Sequence, residues 1–265
     1  MFLLTTLCAL FALLAVVPVY ATTGVIVPLY QFPVTSANWA PLETALSTFP
    51  SLQFYVIINP NSGPGDADSQ PDPAYQTNIQ TLRTHSNALL VGYVLTGFGT
   101  RASADVLQDI QTYAGWDASY GVDGIFFDQT MAGFDAEYTS YSDAVRSTAW
   151  PGRATRYVCD HEPWENIGNS DYYALADRDT RDAAQTYAEF QQESPIPLPH
   201  PAQQSVIIHT FTGAGVSNQT LSSVVTSLKS SGFASTYITN LNISETDVYA
   251  NFGSDFAEFV ADVAA

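Results

Sequence analysis

Apolar, β-branched runs recur along the chain, and polar segments with helical spacing lie between them. The runs are Gly24 to Tyr30 (GVIVPLY), Leu52 to Ile58 (LQFYVII), Ala88 to Leu95 (ALLVGYVL), Val122 to Asp128 (VDGIFFD), Ser205 to Thr210 (SVIIHT) and Thr236 to Thr239 (TYIT). They are continuous rather than alternating, which predicts strands covered on both faces, as in a parallel sheet. Helical spacing predicts helices over Tyr75 to Thr84, Ala102 to Tyr113, Phe134 to Arg146, Leu221 to Ser230 and Phe256 to Val263. Repeated βα units over about 240 residues predict an α/β fold: a single (β/α)8 TIM-type barrel filling residues 22–265. A doubly wound open sheet is the alternative. It would carry a glycine-rich phosphate loop after the first strand, but Gln31-Phe32-Pro33 follow Tyr30.

The pattern becomes irregular around residues 150–200, where strands five and six are expected without a clear position. Arg178-Asp-Thr-Arg-Asp182 reads as too charged for a buried strand. Pro195, Pro197, Pro199 and Pro201 read as an extended connector.

Residues Met1 to Ala21 read as a secretory signal peptide. Phe2 to Val17 is almost wholly apolar, Pro18 breaks the run, and Val19 and Ala21 present small side chains to a signal peptidase. The run is short for a membrane span of about 20 residues, so a signal anchor is the lesser alternative and no transmembrane segment is expected in the mature chain. The expected location is extracellular or at the cell surface. Cys8 lies in the signal, which leaves Cys159 without an intrachain partner, so stability must come from the core. Asn218-Gln-Thr and Asn242-Ile-Ser are N-glycosylation sequons open to use in a secretory pathway.

Charge narrows the partners. The formal net charge is −18 and Lys229 is the lone lysine. Such a field repels phosphate backbones and anionic membranes, which excludes nucleic acid as a partner. It would attract a polycation such as a partly deacetylated amino-sugar polymer, or it simply keeps a secreted protein soluble. Charged residues make up only 13% of the chain, while Tyr and Phe number 15 each. That composition suits a surface meeting neutral sugars.

Three segments carry candidate chemistry, each at the end of a predicted strand. In a barrel those ends form the active face. Gly121-Val-Asp-Gly-Ile-Phe-Phe-Asp128-Gln129 ends an apolar strand in an acid. Asp128 is either a cleft carboxylate or the cap of the following helix, and spacing alone supports both. Ile57-Ile58-Asn59-Pro60-Asn61-Ser62-Gly63-Pro64-Gly65 offers Asn59, Asn61 and Ser62 to sugar hydroxyls, or is an ordinary turn. In Gly92-Tyr93-Val-Leu-Thr-Gly-Phe98-Gly-Thr-Arg101, Tyr93 or Phe98 could stack on a sugar ring and Arg101 could fix a carboxylate, with core packing the default for each aromatic. Tyr30 and His209 also stand at strand ends. His209 could face the cleft or serve the core.

Together, INPNSGPG, the GYV-to-GTR run and VDGIFFD resemble the spherulin-4-like family, as do VPLYQFP, VIIHTFTG and Tyr237-Ile-Thr239. The resemblance covers about residues 24 to 262 and is thinnest between 150 and 200. It implies a barrel glycosidase of the fungal cell-wall type that cleaves α-1,4-linked N-acetylgalactosamine polymers, with Asp128 as a catalytic residue and a polysaccharide as partner. No cofactor is implied, and a monomer is expected. The chain departs from the family at the chemistry. Gln129 stands where the family has Glu, and Ala183 or Ala184 where it has a Glu on a later strand. Only Asp128 remains of three acids. Glycoside hydrolysis normally uses two carboxyl groups, about 5 Å apart in a retaining enzyme. The resemblance therefore allows a hydrolase or a carbohydrate-binding protein that lost turnover. Asp160, Glu162, Glu189 and Glu193 are substitutes for the missing acid, each also readable as a plain surface acid. Asp160-His161-Glu162 cannot aim three side chains at one ion from one strand, so no metal site is expected. No Gly-x-Ser-x-Gly elbow occurs.

Overall fold

The computed structural model describes residues 22–130, 136–150, 157–161, 178–184, 201–211, 220–242 and 247–265, with 157–161 and 178–184 described by their backbone. Eight parallel strands pair in sequence order and the last returns to the first. They are β1 (Gly24–Leu29), β2 (Phe54–Ile58), β3 (Ala88–Leu95), β4 (Gly124–Asp128), β5 (Tyr157–His161), β6 (Arg178–Ala184), β7 (Gln204–His209) and β8 (Ser235–Ile238). Six helices are described: α1 (Ala40–Thr48), α2 (Pro73–Leu82), α3 (Ser103–Ala114), α4 (Ala136–Ser147), α5 (Leu221–Ser230) and α6 (Phe256–Ala264). They follow β1, β2, β3, β4, β7 and β8. The connections after β5 and β6, residues 1–21, Asn218, Glu162, Glu189 and Glu193 lie outside the described residues.

The continuous apolar runs are strands buried on both faces, as expected for parallel pairing. All six residues of β1 and of β7 are buried. Faces follow from contacts. Phe127 stacks on Tyr141 of α4 at 5.8 Å, so it points outward. Phe126 and Asp128 point to the opposite side, into the interior. The register Tyr93↔Phe126 and Leu95↔Asp128 puts Tyr93 on that same inner face.

The charged Arg178–Asp182 segment corrects the expectation that it is no strand. It forms most of β6, in register with β7 from Asp179↔Gln204 to Ala184↔His209. Ring closure supplies the reason. Without this segment β5 and β7 would each present an unpaired edge, and ladder hydrogen bonds come from backbone groups whatever the side-chain charge. A proline inside β1 is also explained. The β1–β8 ladder is given by Gly24↔Ser235 and Val25↔Thr236, whereas β1–β2 continues to Leu29↔Ile58. Pro28 therefore sits beyond the β8 pairs, where its missing N–H breaks no ladder bond.

Helix starts follow local chemistry. Asp72 caps α2 by accepting the Ala74 N–H at 2.8 Å, with Pro73 at the first helical position. Thr220 caps α5 through the Ser223 N–H at 3.2 Å. The Lys229 ammonium donates to the Val263 carbonyl at 2.9 Å, placing a cation at the C-terminus of α6.

Gly92 fixes how closely α3 approaches the sheet. A Cβ there would lie 2.6 Å from the ring of Tyr113. That ring is 1% exposed, and its hydroxyl donates to the Ile58 carbonyl at 3.0 Å. It has nowhere to turn. Gly92→Ala is expected to lower stability by about 1–3 kcal/mol, the usual cost of overpacking, read as a lower urea midpoint with an unchanged slope.

Candidate active site

The centre of the site is a carboxylate held by a phenol. The Tyr93 hydroxyl donates to Asp128 Oδ2 at 2.5 Å. Burial pushes the Tyr93 phenol far above its ordinary range; the charge of Asp128 and the hydrogen bond push the same way, and nearby Arg101 opposes them. Tyr93 therefore stays protonated at any physiological pH and acts as a donor, never as a base. Its ring packs edge-on against Tyr30 at 5.4 Å and lies 6.3 Å from Phe126. Tyr30 in turn meets Tyr249 edge-on at 5.3 Å. Asp128 is half-buried, within reach of a ligand.

The turn after Asp128 is clamped. Gln129 adopts a left-handed backbone, φ 54°. Its carbonyl accepts from the Phe98 N–H at 2.6 Å and from the Thr96 hydroxyl at 2.7 Å. The Thr96 N–H bonds the Asp128 carbonyl at 2.9 Å. Thr96 has one hydroxyl proton, so with that proton on Gln129 the Tyr138 hydroxyl, 3.0 Å away, donates to Thr96. The described non-glycine residues with positive φ are Ser62, Asp68, Phe98, Gln129 and Thr210. All five stand in loops after strand ends, two after β2 and one each after β3, β4 and β7. Each left-handed residue costs about 1 kcal/mol or more, and such strain concentrates at ligand sites.

The remaining candidates divide by role. Asn59 Oδ1 accepts the Gly63 N–H at 3.1 Å, and its carbonyl takes the Tyr75 hydroxyl at 3.2 Å. Asn59 thus shapes the β2–α2 loop, while Asn61 and Ser62 are exposed on it. Arg101 pairs with Asp109 at 2.6 Å and donates to the Leu95 carbonyl at 2.9 Å. Through Asp109 on α3 and the Leu95 carbonyl it braces the β3–α3 loop. Burial raises the Asp109 pKa and Arg101 pulls it back down. His209 is 5% exposed, with Nδ1 3.0 Å from the Thr210 hydroxyl. Asn242 is half-buried beyond β8. Ala184 ends β6 in register with His209, and Ala183 pairs with Ile208. Thr96, Tyr138 and Tyr249 were not singled out from sequence. Thr96 lay inside the GYV-to-GTR run, which pointed to it; nothing local marked the other two.

Among the described residues no three His, Cys, Asp or Glu side chains converge as metal ligands, and no helix is long and apolar enough to cross a membrane. A cavity of about 730 Å³ opens at the other end of the strands, lined by Thr22, Leu52, Pro201, Lys229 and Ala265 among others. That face of a barrel is structural, and chemistry gathers at the strand C-termini.

The family model for spherulation-specific family 4 matches residues 24–263. The chain belongs to that family. Spherulin-4 of Physarum polycephalum is 40% identical over 125 residues, which cover 46% of this chain and 35% of the relative. The aligned part is thus about a third of that curated relative's length. Among solved structures, the crystal structure of Aspergillus clavatus Sph3 in complex with GalNAc superposes with TM-score 0.80 at 33% identity, covering 92% of this chain and 98% of that one. An endo-1,4-beta-mannanase from Eisenia fetida matches at TM-score 0.53 and 9% identity over 92% and 91% of the two chains, which speaks to fold alone.

Tyr93→Phe tests the hydrogen bond at the centre of the family member's site. Deleting a bond to a charged group typically costs about 1.5–3 kcal/mol. Ligand affinity or turnover should drop about ten- to a hundredfold, while the ring contacts persist and the melting temperature moves little. Enzyme assay and calorimetry against the wild type check both parts.

Proposed function

We propose that this spherulin-4 family protein is a secreted glycoside hydrolase acting on an amino-sugar polysaccharide rich in N-acetylgalactosamine, with Asp128 as its key carboxylate. The observation that carries the reading is the Tyr93-to-Asp128 hydrogen bond at the active end of the barrel, in a chain whose near-complete structural match is a GalNAc complex. Asp128 stabilises positive charge at the anomeric carbon or attacks it. Tyr93 orients it, and Tyr30 and Tyr249 give the wall an aromatic surface. Residues Met1 to Ala21 are removed on export, and Edman sequencing of the secreted protein should begin at Thr22.

A second reading is supported by Gln129 and by Ala183 or Ala184, which are uncharged where the family resemblance leads one to expect acids. The same cleft then binds the polymer without cutting it. Release of new reducing ends from a purified N-acetylgalactosamine polymer decides between the two. Sustained release above the Asp128→Asn control supports hydrolysis. Polymer retention with no release supports binding, and neither retention nor release rejects both readings.

A further inference from the structure

The exposed large hydrophobic residues among those described are Phe32, Val34 and Phe98, all in loops at the active end of the barrel. Of the two phenylalanines among them, Phe98 is the more exposed, at 56% against 46% for Phe32. It is also the one held most deliberately. Gly97, Phe98 and Gly99 are consecutive left-handed residues, with φ of 61°, 54° and 75°. A phenylalanine at such a φ is strained, yet four hydrogen bonds hold the loop there. The Thr100 N–H and hydroxyl both reach the Gly97 carbonyl, at 3.0 and 2.6 Å, and the Arg101 N–H reaches the Thr96 carbonyl at 3.3 Å. The Phe98 N–H bonds the Gln129 carbonyl at 2.6 Å. A strained backbone that keeps a large ring in water calls for a ligand.

We propose that Phe98 is the platform of a separate sugar subsite, next to the one at Asp128, which stacks the ring of a neighbouring unit of a bound chain. This rests on the proposed function and deepens it, because it makes the site a reader of oligomers rather than of single sugars. The placement follows from the backbone bond. The Phe98 N–H is tied to the carbonyl of Gln129, the residue after Asp128, so the loop that carries the ring lies beside the turn that follows the carboxylate. A pyranose has one face of C–H groups that packs on an aromatic ring, while its hydroxyls and acetamido group remain turned to polar partners. The platform is neutral, so it does not depend on the charge of the chain it holds.

The test is calorimetry with GalNAc and with an α-1,4-linked GalNAc pentamer. An Asp128→Asn background prevents cleavage. Phe98→Ala should weaken the pentamer about five- to tenfold, in line with the loss of one aromatic contact, and leave GalNAc affinity unchanged. Phe98→Trp should restore pentamer affinity, and its indole emission should shift when the pentamer, but not GalNAc, is added. Melting temperatures of all variants should agree closely, since the ring is exposed. Pentamer affinity within twofold of the parent in Phe98→Ala overturns the subsite while leaving the proposed function intact. Equal weakening of GalNAc and pentamer also overturns it, because the ring then belongs to the Asp128 subsite. Should the parent bind neither probe while folded, the functional reading fails and the subsite fails with it.

Discussion

Asp128→Asn is expected to cut hydrolysis of an N-acetylgalactosamine polymer by about a thousandfold or more while leaving the fold intact. Removing a residue that contacts the reacting centre usually costs this much or more. The substitution keeps size and shape and removes the charge. The Tyr93 hydroxyl can still donate to the amide oxygen, so the bond at 2.5 Å has a neutral successor. The neighbouring turn is built from main-chain groups of Asp128 and Gln129, which the change does not touch. Stability should therefore stay within about 1 kcal/mol, the more so because Asn caps a helix about as well as Asp if any capping occurs. Polymer affinity should largely survive, since neutral sugars are held mainly by amide, hydroxyl and aromatic groups. Full hydrolysis by a folded Asp128→Asn protein would remove Asp128 from the mechanism. Loss of fold instead would show that the carboxylate serves the barrel.

Much of this site was legible in the sequence because strand ends in a parallel barrel declare themselves. VDGIFFD could be read as a strand finishing in an acid, and the fold then dictates that the acid stands on the active face. The same logic placed Asn59, Tyr93 and Arg101 at or just beyond the ends of neighbouring strands. Their division of labour was not legible. That Tyr93 binds Asp128 while Arg101 turns to Asp109 depends on which face each residue takes, and on loop geometry that one-dimensional spacing does not encode. β6 was missed for a different reason. Apolar runs reveal strands through side-chain burial, and Arg178–Ala184 is a strand through backbone pairing on both sides. α1 was missed because its start is marked by little more than Pro41. Phe98 was the reverse case. Sequence gave core packing as its default, and the positive φ between two glycines put it in solvent.

Gln129→Glu should raise hydrolysis about a hundred- to ten-thousandfold, or bring it above detection where the wild type shows none. That range is what a positioned general acid typically contributes. Gln and Glu share shape, and the backbone at residue 129 is fixed by Thr96 and Phe98 rather than by its own side chain, so the new carboxyl enters a turn already formed. Its neighbour is the charge of Asp128. Like charges oppose joint ionisation, so the introduced carboxyl should titrate above the ordinary Glu value and hold its proton into the mildly acidic range. A general acid works only while protonated. The gain should therefore be largest at mildly acidic pH and fade as pH rises through that raised value, a descending limb absent from the wild type. A Gln129→Asn control has no proton to give and should gain nothing. If Gln129→Glu and wild type hydrolyse the polymer equally at every pH, residue 129 is not the missing acid. Polymer binding that persists in such an inactive pair would favour the non-hydrolytic reading, because the cleft would then be complete without a second carboxyl.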